Sequence, residues 1–182
     1  VVLFNGRPLA LTDILEDADA ILEAWYPGTA GGKSICNVLF GDYNPSGRLI
    51  GSFPYNVGQC PLYYSQYSTG RPSSPDSVHN TRFVTHYLDV PNEALFPFGY
   101  GLSYHKARYS NLVLDTDKMS KDSTIHVSVD VTNESDVAGI ETVQLYIRDL
   151  VGSVVRPILE LKGFKKVQLQ PHETVNVSFE IT

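Results

Sequence analysis

The side chains best suited to chemistry in this sequence lie between Phe53 and Val90, a stretch of little periodicity that is rich in Tyr, Ser, Pro and Asn. Tyr63, Tyr64, Tyr67 and Tyr87 fall within it. Aromatic faces pack on the apolar faces of a pyranose while polar tips bond its hydroxyls, so a loop of tyrosine and asparagine suits a sugar. A second reading fits the same residues: the tyrosines pin a long connector to the domain beneath it. Irregular stretches of this length are uncommon in compact proteins unless they are functional or disordered.

The remaining motifs are weaker. GTAGGKS approaches a phosphate-binding loop, which requires four residues between its first glycine and the Gly-Lys pair, but Gly28 and Gly32 enclose only three. Close packing of a helix start is the better reading of these glycines. His79, His86, His105, His126 and His172 show no metal-ligand spacing, so no metal and no cofactor is expected. Cys36 and Cys60 are too few for a disulfide framework, and Cys36, in a helix-like apolar pattern, is expected to be a small buried hydrophobe. Asn133-Glu-Ser and Asn176-Val-Ser match the glycosylation triplet and decide nothing.

Composition limits the alternatives. A hydrophobic share of 42% against 19% charged is ordinary for a chain that buries a core. The net charge of -6 comes from scattered residues with no basic stripe, so nucleic acid is not an expected partner. No apolar run approaches the roughly 18 residues of a membrane span, and the N-terminus lacks the charged-then-apolar order of a signal peptide. The compartment stays open.

The elements that must position the tyrosine loop fall into two patterns. Before it, VVLFN reads as a short strand covered on both faces, and Ile35, Val38 and Leu39, with Cys36 and Phe40, give a helical face that stops at Gly41. ADAILEAWY is ambiguous by period alone. This is the pattern of a wound α/β layer. After the loop the period becomes two: Ile125, Val127, Val129 and Val131 alternate with polar residues, as do Val143, Leu145 and Ile147, and Val175, Val177, Phe179 and Ile181. With YSNLVL and LKGFKKVQL these predict about five strands of an antiparallel sandwich, where an immunoglobulin-like fold uses about seven. Both parts therefore read as incomplete, and open sheet edges would invite a homo-oligomer or strand exchange. Between the patterns lies PNEALFPFGYGLSY, residues 91 to 104, whose Phe96, Phe98, Tyr100 and Tyr104 read mainly as a joint.

NGRPLAL, AILEAWYPGTAGG, NVLFGDYNPSGRL, PLYY, STGRP, YLDVPNEALFPFGYGLSY, VTN, VQLYIRD and RPILELKGFKKVQLQP together resemble, in order along nearly the whole chain, the C-terminal part of a β-glucosidase of glycoside hydrolase family three. The resemblance implies an enzyme of three domains: a TIM-like barrel, an α/β sandwich and a fibronectin type III-like domain. It places residues 1–60 in the second half of the α/β sandwich, 61–107 in an aromatic loop and interdomain connector, and 108–182 in a truncated fibronectin type III-like domain. It makes ADAILEAWY a strand, and the missing barrel of the same enzyme and a β-glucoside or oligosaccharide the expected partners.

Retaining glycosidases need two carboxyl groups about 5 Å apart. The resemblance puts the nucleophile on the barrel and the acid/base glutamate outside this stretch, so no catalytic residue is assigned here and the chain alone is expected to hydrolyse nothing. Asp42 and Asp89 are expected to cap turns or bond to backbone. Loops of the α/β domain can wall the outer sugar site in such enzymes, which makes Tyr67, Arg71, Arg82 and Tyr87 the candidate substrate contacts. An arginine fork matches sugar hydroxyls, although a surface arginine is commonly just solvated or paired. The chain departs from the family pattern at Ala30, at Ile50 and Gly51, and at His172, which takes the place of a turn glycine. The alternative function is a non-catalytic module that binds carbohydrate or protein.

Overall fold

A computed structural model describes residues 1–72 and 82–182. His79 lies outside the described residues. The chain divides into two compact units, each discontinuous in sequence. One comprises Val1–Cys36, Leu49–Tyr100 and Arg148–Glu160; the other comprises Asn37–Arg48, Gly101–Ile147 and Leu161–Thr182. One of the five chain boundaries between them falls between Tyr100 and Gly101, inside the aromatic motif read as a joint.

In the first unit, β1 (Val2–Leu3) pairs in parallel with β2 (Leu22–Glu23), so ADAILEAWY contains a two-residue strand. The Val1 amino group donates to the Ala20 carbonyl at 2.8 Å and extends the pairing. Val2 and Leu3 are half-buried, not covered on both faces, and β2 is the only sheet neighbour of β1 among the described residues. The short helix α1 (Thr12–Leu15) and the start of α2 (Gly31–Leu39) complete the α/β part. Gly41, at φ 84, ends the helical run with its N–H on the Val38 carbonyl at 3.2 Å. Cys36 is exposed on α2, which corrects the expectation that it is a buried hydrophobe. The apolar stripe of the helix is Ile35 and Val38, and Cys36 lies outside it.

The aromatic motif is held by backbone pairing. Leu49 N–H bonds to the Tyr100 carbonyl at 2.8 Å, Gly99 N–H to the Leu49 carbonyl at 2.7 Å, and Phe53 and Phe96 exchange bonds of 2.8 and 3.3 Å. Segments 49–53 and 96–100 thus form a two-stranded ribbon without long strands. Phe53 is the most buried large side chain of this unit at 1% exposure, with its ring 6.0 Å from that of Trp25.

The second unit is the expected sandwich. The strands are β3 (Ala107–Leu114), β4 (Ile125–Asn133), β5 (Gly139–Ile147), β6 (Glu160–Leu169) and β7 (Thr174–Ile181). One sheet has the order β3-β4-β7 with antiparallel pairs, and β5 and β6 form the other. The predicted alternation puts Val131, Val143, Leu169, Val177 and Phe179 in a single apolar cluster, with Val129, Leu145 and Val175 against it. His172 has φ 60, the left-handed conformation a glycine would adopt freely, and its ring meets Asp136 Oδ1 at 2.8 Å. A departure from the family pattern thus coincides with local backbone strain.

Periodicity did not reveal the buried polar end of this core. Glu141 lies on the inward row of β5 with Val143 and Leu145, yet it is 7% exposed. Its carboxylate accepts two bonds from Arg48 Nη2, at 3.2 and 3.1 Å, and one from the Tyr109 hydroxyl at 2.8 Å. Burial first, and then the bond to Glu141, push the Tyr109 phenol well above its ordinary range. His105 Nε2 lies 3.4 Å from Glu141 Oε2 without hydrogen-bond geometry. Asn44 Oδ1 accepts from Tyr104 N–H at 2.8 Å, so its amide nitrogen faces the Ala138 carbonyl at 2.9 Å and His105 Nδ1 at 3.1 Å. An amide nitrogen only donates; Nδ1 is therefore the acceptor, and the ring proton sits on Nε2, facing the carboxylate. In the GDYNPSG turn Asn44 bonds to backbone.

Candidate functional site

The tyrosine loop belongs wholly to the first unit and is organised by polar side chains. It enters through a short 3-10 helix, Val57–Gln59, capped by Asn56, whose side chain accepts from Gly58 N–H at 2.8 Å. Gln59 is 1% exposed. Its Oε1 accepts from Tyr55 N–H at 2.6 Å and from Asn56 N–H at 3.4 Å, while its Nε2 donates to the carbonyls of Pro91 at 2.8 Å and Glu93 at 3.2 Å. Every polar position of this amide is filled, as a buried amide requires. The side chain joins the departure of the loop to its return.

Farther out, three segments lie side by side. Ile158 N–H bonds to the Gln66 carbonyl at 2.9 Å and Tyr67 bridges Pro157, while Thr85 N–H bonds to the Arg71 carbonyl at 2.8 Å and the Thr69 and Thr85 hydroxyls meet at 3.1 Å. The segment 66–71 is therefore flanked by 157–158 on one side and by 85 on the other. The part played by 157–158 is invisible in sequence order, since these residues lie between two strands of the sandwich.

The four candidate side chains occupy this assembly. Tyr67 is 61% exposed beside Pro157. The guanidinium of Arg71 sits over the Phe83 ring at 5.3 Å from its centroid, a cation–π contact that leaves the planar donors at the surface. Arg82 is exposed, one residue before Phe83. Tyr87 reaches back toward the 3-10 helix, with its hydroxyl 3.4 Å from the Gln59 carbonyl and its N–H on Asn92 Oδ1 at 3.1 Å. Arg71 and Tyr87 are thus tied together through Thr85, while Tyr67 and Arg71 share one segment. Within the loop Tyr87 pins the chain, and Tyr67 presents its ring to solvent.

Tyr64 pins the loop as well, stacked on Phe98 at 4.1 Å and 12°. A pocket of about 210 Å³ opens beside this pair, lined by Ile50, Ser52, Leu62, Tyr63, Tyr64 and Phe98. It falls below the roughly 300–1,000 Å³ of ligand pockets, so it is not itself the site. Among the described residues no group of His, Cys, Asp or Glu is arranged to hold a metal ion, and no helix is long and apolar enough to cross a membrane. The loop offers donors and exposed aromatic faces. Recognition of a hydroxylated ligand is within its chemistry.

Comparison with known proteins places the chain in a family. The family model described as the glycosyl hydrolase family 3 C-terminal domain matches residues 1–104, and that of the fibronectin type III-like domain matches residues 141–182. A periplasmic beta-glucosidase of Salmonella typhimurium is 48% identical over 181 residues, covering 100% of this chain and 23% of that protein. A beta-xylosidase of Formosa agariphila is 44% identical over 181 residues and is covered to 24%. The crystal structure of a beta-glucosidase from Listeria innocua in complex with glucose matches with a TM-score of 0.94 at 45% identity, covering 100% of this chain and 25% of that one. The chain spans about a quarter of the length of these relatives.

Proposed function

This chain belongs to glycosyl hydrolase family 3, and we propose that it is the C-terminal, non-catalytic portion of a β-glucosidase-type enzyme acting on β-linked glucosides or oligosaccharides. Its partner is the barrel of the same enzyme, which carries the nucleophile, while the acid/base glutamate also lies outside this stretch. Its own contribution is structural, together with a wall for the outer part of the substrate built from Tyr67, Arg71, Arg82 and Tyr87. The observation that carries this reading is the three-segment assembly around 66–71. It holds the loop through backbone and buried amide bonds, yet leaves Tyr67 and both arginines exposed. A rigid scaffold presenting adaptable polar and aromatic groups is the usual form of a recognition loop.

The test is a substrate comparison in the intact enzyme. Arg82→Ala is expected to impair cleavage of a disaccharide more than cleavage of an aryl glucoside, because only the disaccharide places a sugar in the outer site. Equal effects on the two substrates would remove the outer-site role.

A further inference from the structure

Asn92 lies on the return arm of the loop, between the two carbonyls, Pro91 and Glu93, that the buried Gln59 amide holds. The Asn92 side chain then reaches outward. Its Oδ1 accepts from Tyr87 N–H at 3.1 Å and its Nδ2 donates to the Thr85 carbonyl at 2.8 Å. Thr85 in turn bonds through its N–H to the Arg71 carbonyl at 2.8 Å. The polar chain is continuous from a fully buried amide, through one partly buried amide, to the backbone of two exposed candidate contacts. Phe83 and Leu88, in the same arm, are 74% and 92% exposed and add little apolar burial.

We propose that Gln59 and Asn92 form a positioning clasp that fixes Tyr87 and Arg71, and thereby sets how tightly the enzyme holds the outer sugar of an oligosaccharide. The inference rests on the reading of the loop as a wall of the outer site. Neither amide touches substrate; each acts through the backbone it holds. The directions of the bonds make the clasp specific to an amide. A carboxylate at position 92 still accepts from Tyr87 N–H but has no donor for the Thr85 carbonyl, and a carboxylate at position 59 faces two carbonyl oxygens.

The experiment uses the intact enzyme and two independent readouts. For Asn92→Ala, KM for a β-linked glucose disaccharide is expected to rise at least about threefold more than KM for an aryl glucoside. The Thr85 and Tyr87 amides are expected to exchange hydrogen about tenfold faster than in the parent. Asn92→Asp should fall between parent and alanine variant on both scales, and Gln59→Leu should equal or exceed Asn92→Ala. If Gln59→Leu does not fold, the Asn92 pair still decides the matter. Arg71→Ala and Tyr87→Ala are measured alongside. Should they leave the disaccharide KM unchanged, the outer-site reading fails and the clasp is judged by exchange alone. Should they raise it while Asn92→Ala alters neither selectivity nor exchange, the clasp is overturned and the outer-site reading stands.

Discussion

The sandwich unit and the loop-bearing unit solve the same problem, satisfying buried backbone, by different means. In the sandwich, β4 pairs with β7 over eight residue pairs from Ile125↔Ile181 to Thr132↔Thr174, and the inward side chains form a single cluster. In the other unit the only sheet among the described residues is the pair of two-residue strands β1 and β2. Much of its remaining backbone is held by side chains: Gln59 on Pro91 and Glu93, Asn92 on Thr85 and Tyr87, Ser52 on Phe98 N–H. A ladder needs only the right alternation of residues, and many sequences satisfy it. A side-chain clasp needs one amide at one place, which leaves the rest of the loop free to vary and to carry recognition.

The largest effect that would sharpen this contrast is the loss of a ring from the sandwich core. Phe179→Ala is expected to cost about 3–5 kcal/mol, because Phe179 is 9% exposed and packs where Gly163 leaves room for its ring. Urea denaturation monitored by circular dichroism measures it. A cost below about 1 kcal/mol would show that the ladders, and not the cluster, hold the sheet.

The buried ion pair comes next. Glu141→Leu leaves the Arg48 guanidinium, only 12% exposed, without its carboxylate, and is expected to cost about 3 kcal/mol. Adding Arg48→Met should recover most of that loss, since the remaining charge is then removed. No recovery in the double variant would mean that Glu141 matters through Tyr109 or His105 and not through the pair.

How much of this was legible in the sequence follows the same line. Period-two alternation located the sandwich strands, because each inward position had to be apolar for the cluster to close. Glu141 escaped that reading. It occupies an inward position in defiance of the alternation, and its partner Arg48 lies 93 residues away in the chain. Tyr67, Arg71, Arg82 and Tyr87 could be singled out as candidates by residue type, whereas Gln59 and Asn92 could not, since an amide in a loop gives no sign of what it bonds. The contribution of Pro157 and Ile158 was equally hidden, because pairing with Gln66 and Tyr67 joins parts of the chain that no local pattern connects. Cys36 was misjudged because an apolar helical pattern does not fix where the stripe ends.

The smallest expected effect lies on the outer face of the sandwich. Bonds from Asn176 Nδ2 and then Asn111 Nδ2, at 2.7 and 2.8 Å, hold the exposed Asp130 carboxyl below its ordinary range. The native state therefore binds this proton less readily than the unfolded chain. The resulting stabilisation is present above the unfolded value, near pH 4, and is lost as pH falls through the native one. Asn176→Ala should thus lower the denaturation midpoint slightly near pH 6, with the difference shrinking near pH 3. A difference that grows in acid would contradict the assignment.

The most direct measurement is an activity assay on the isolated chain, purified and shown by its melting transition to be folded, with an aryl β-glucoside as substrate. The account predicts no turnover, because the proposed function puts the carboxylates that break the glycosidic bond outside this chain and gives these residues a role in recognition. Turnover that disappears when one of the chain's own carboxylates is replaced would contradict it.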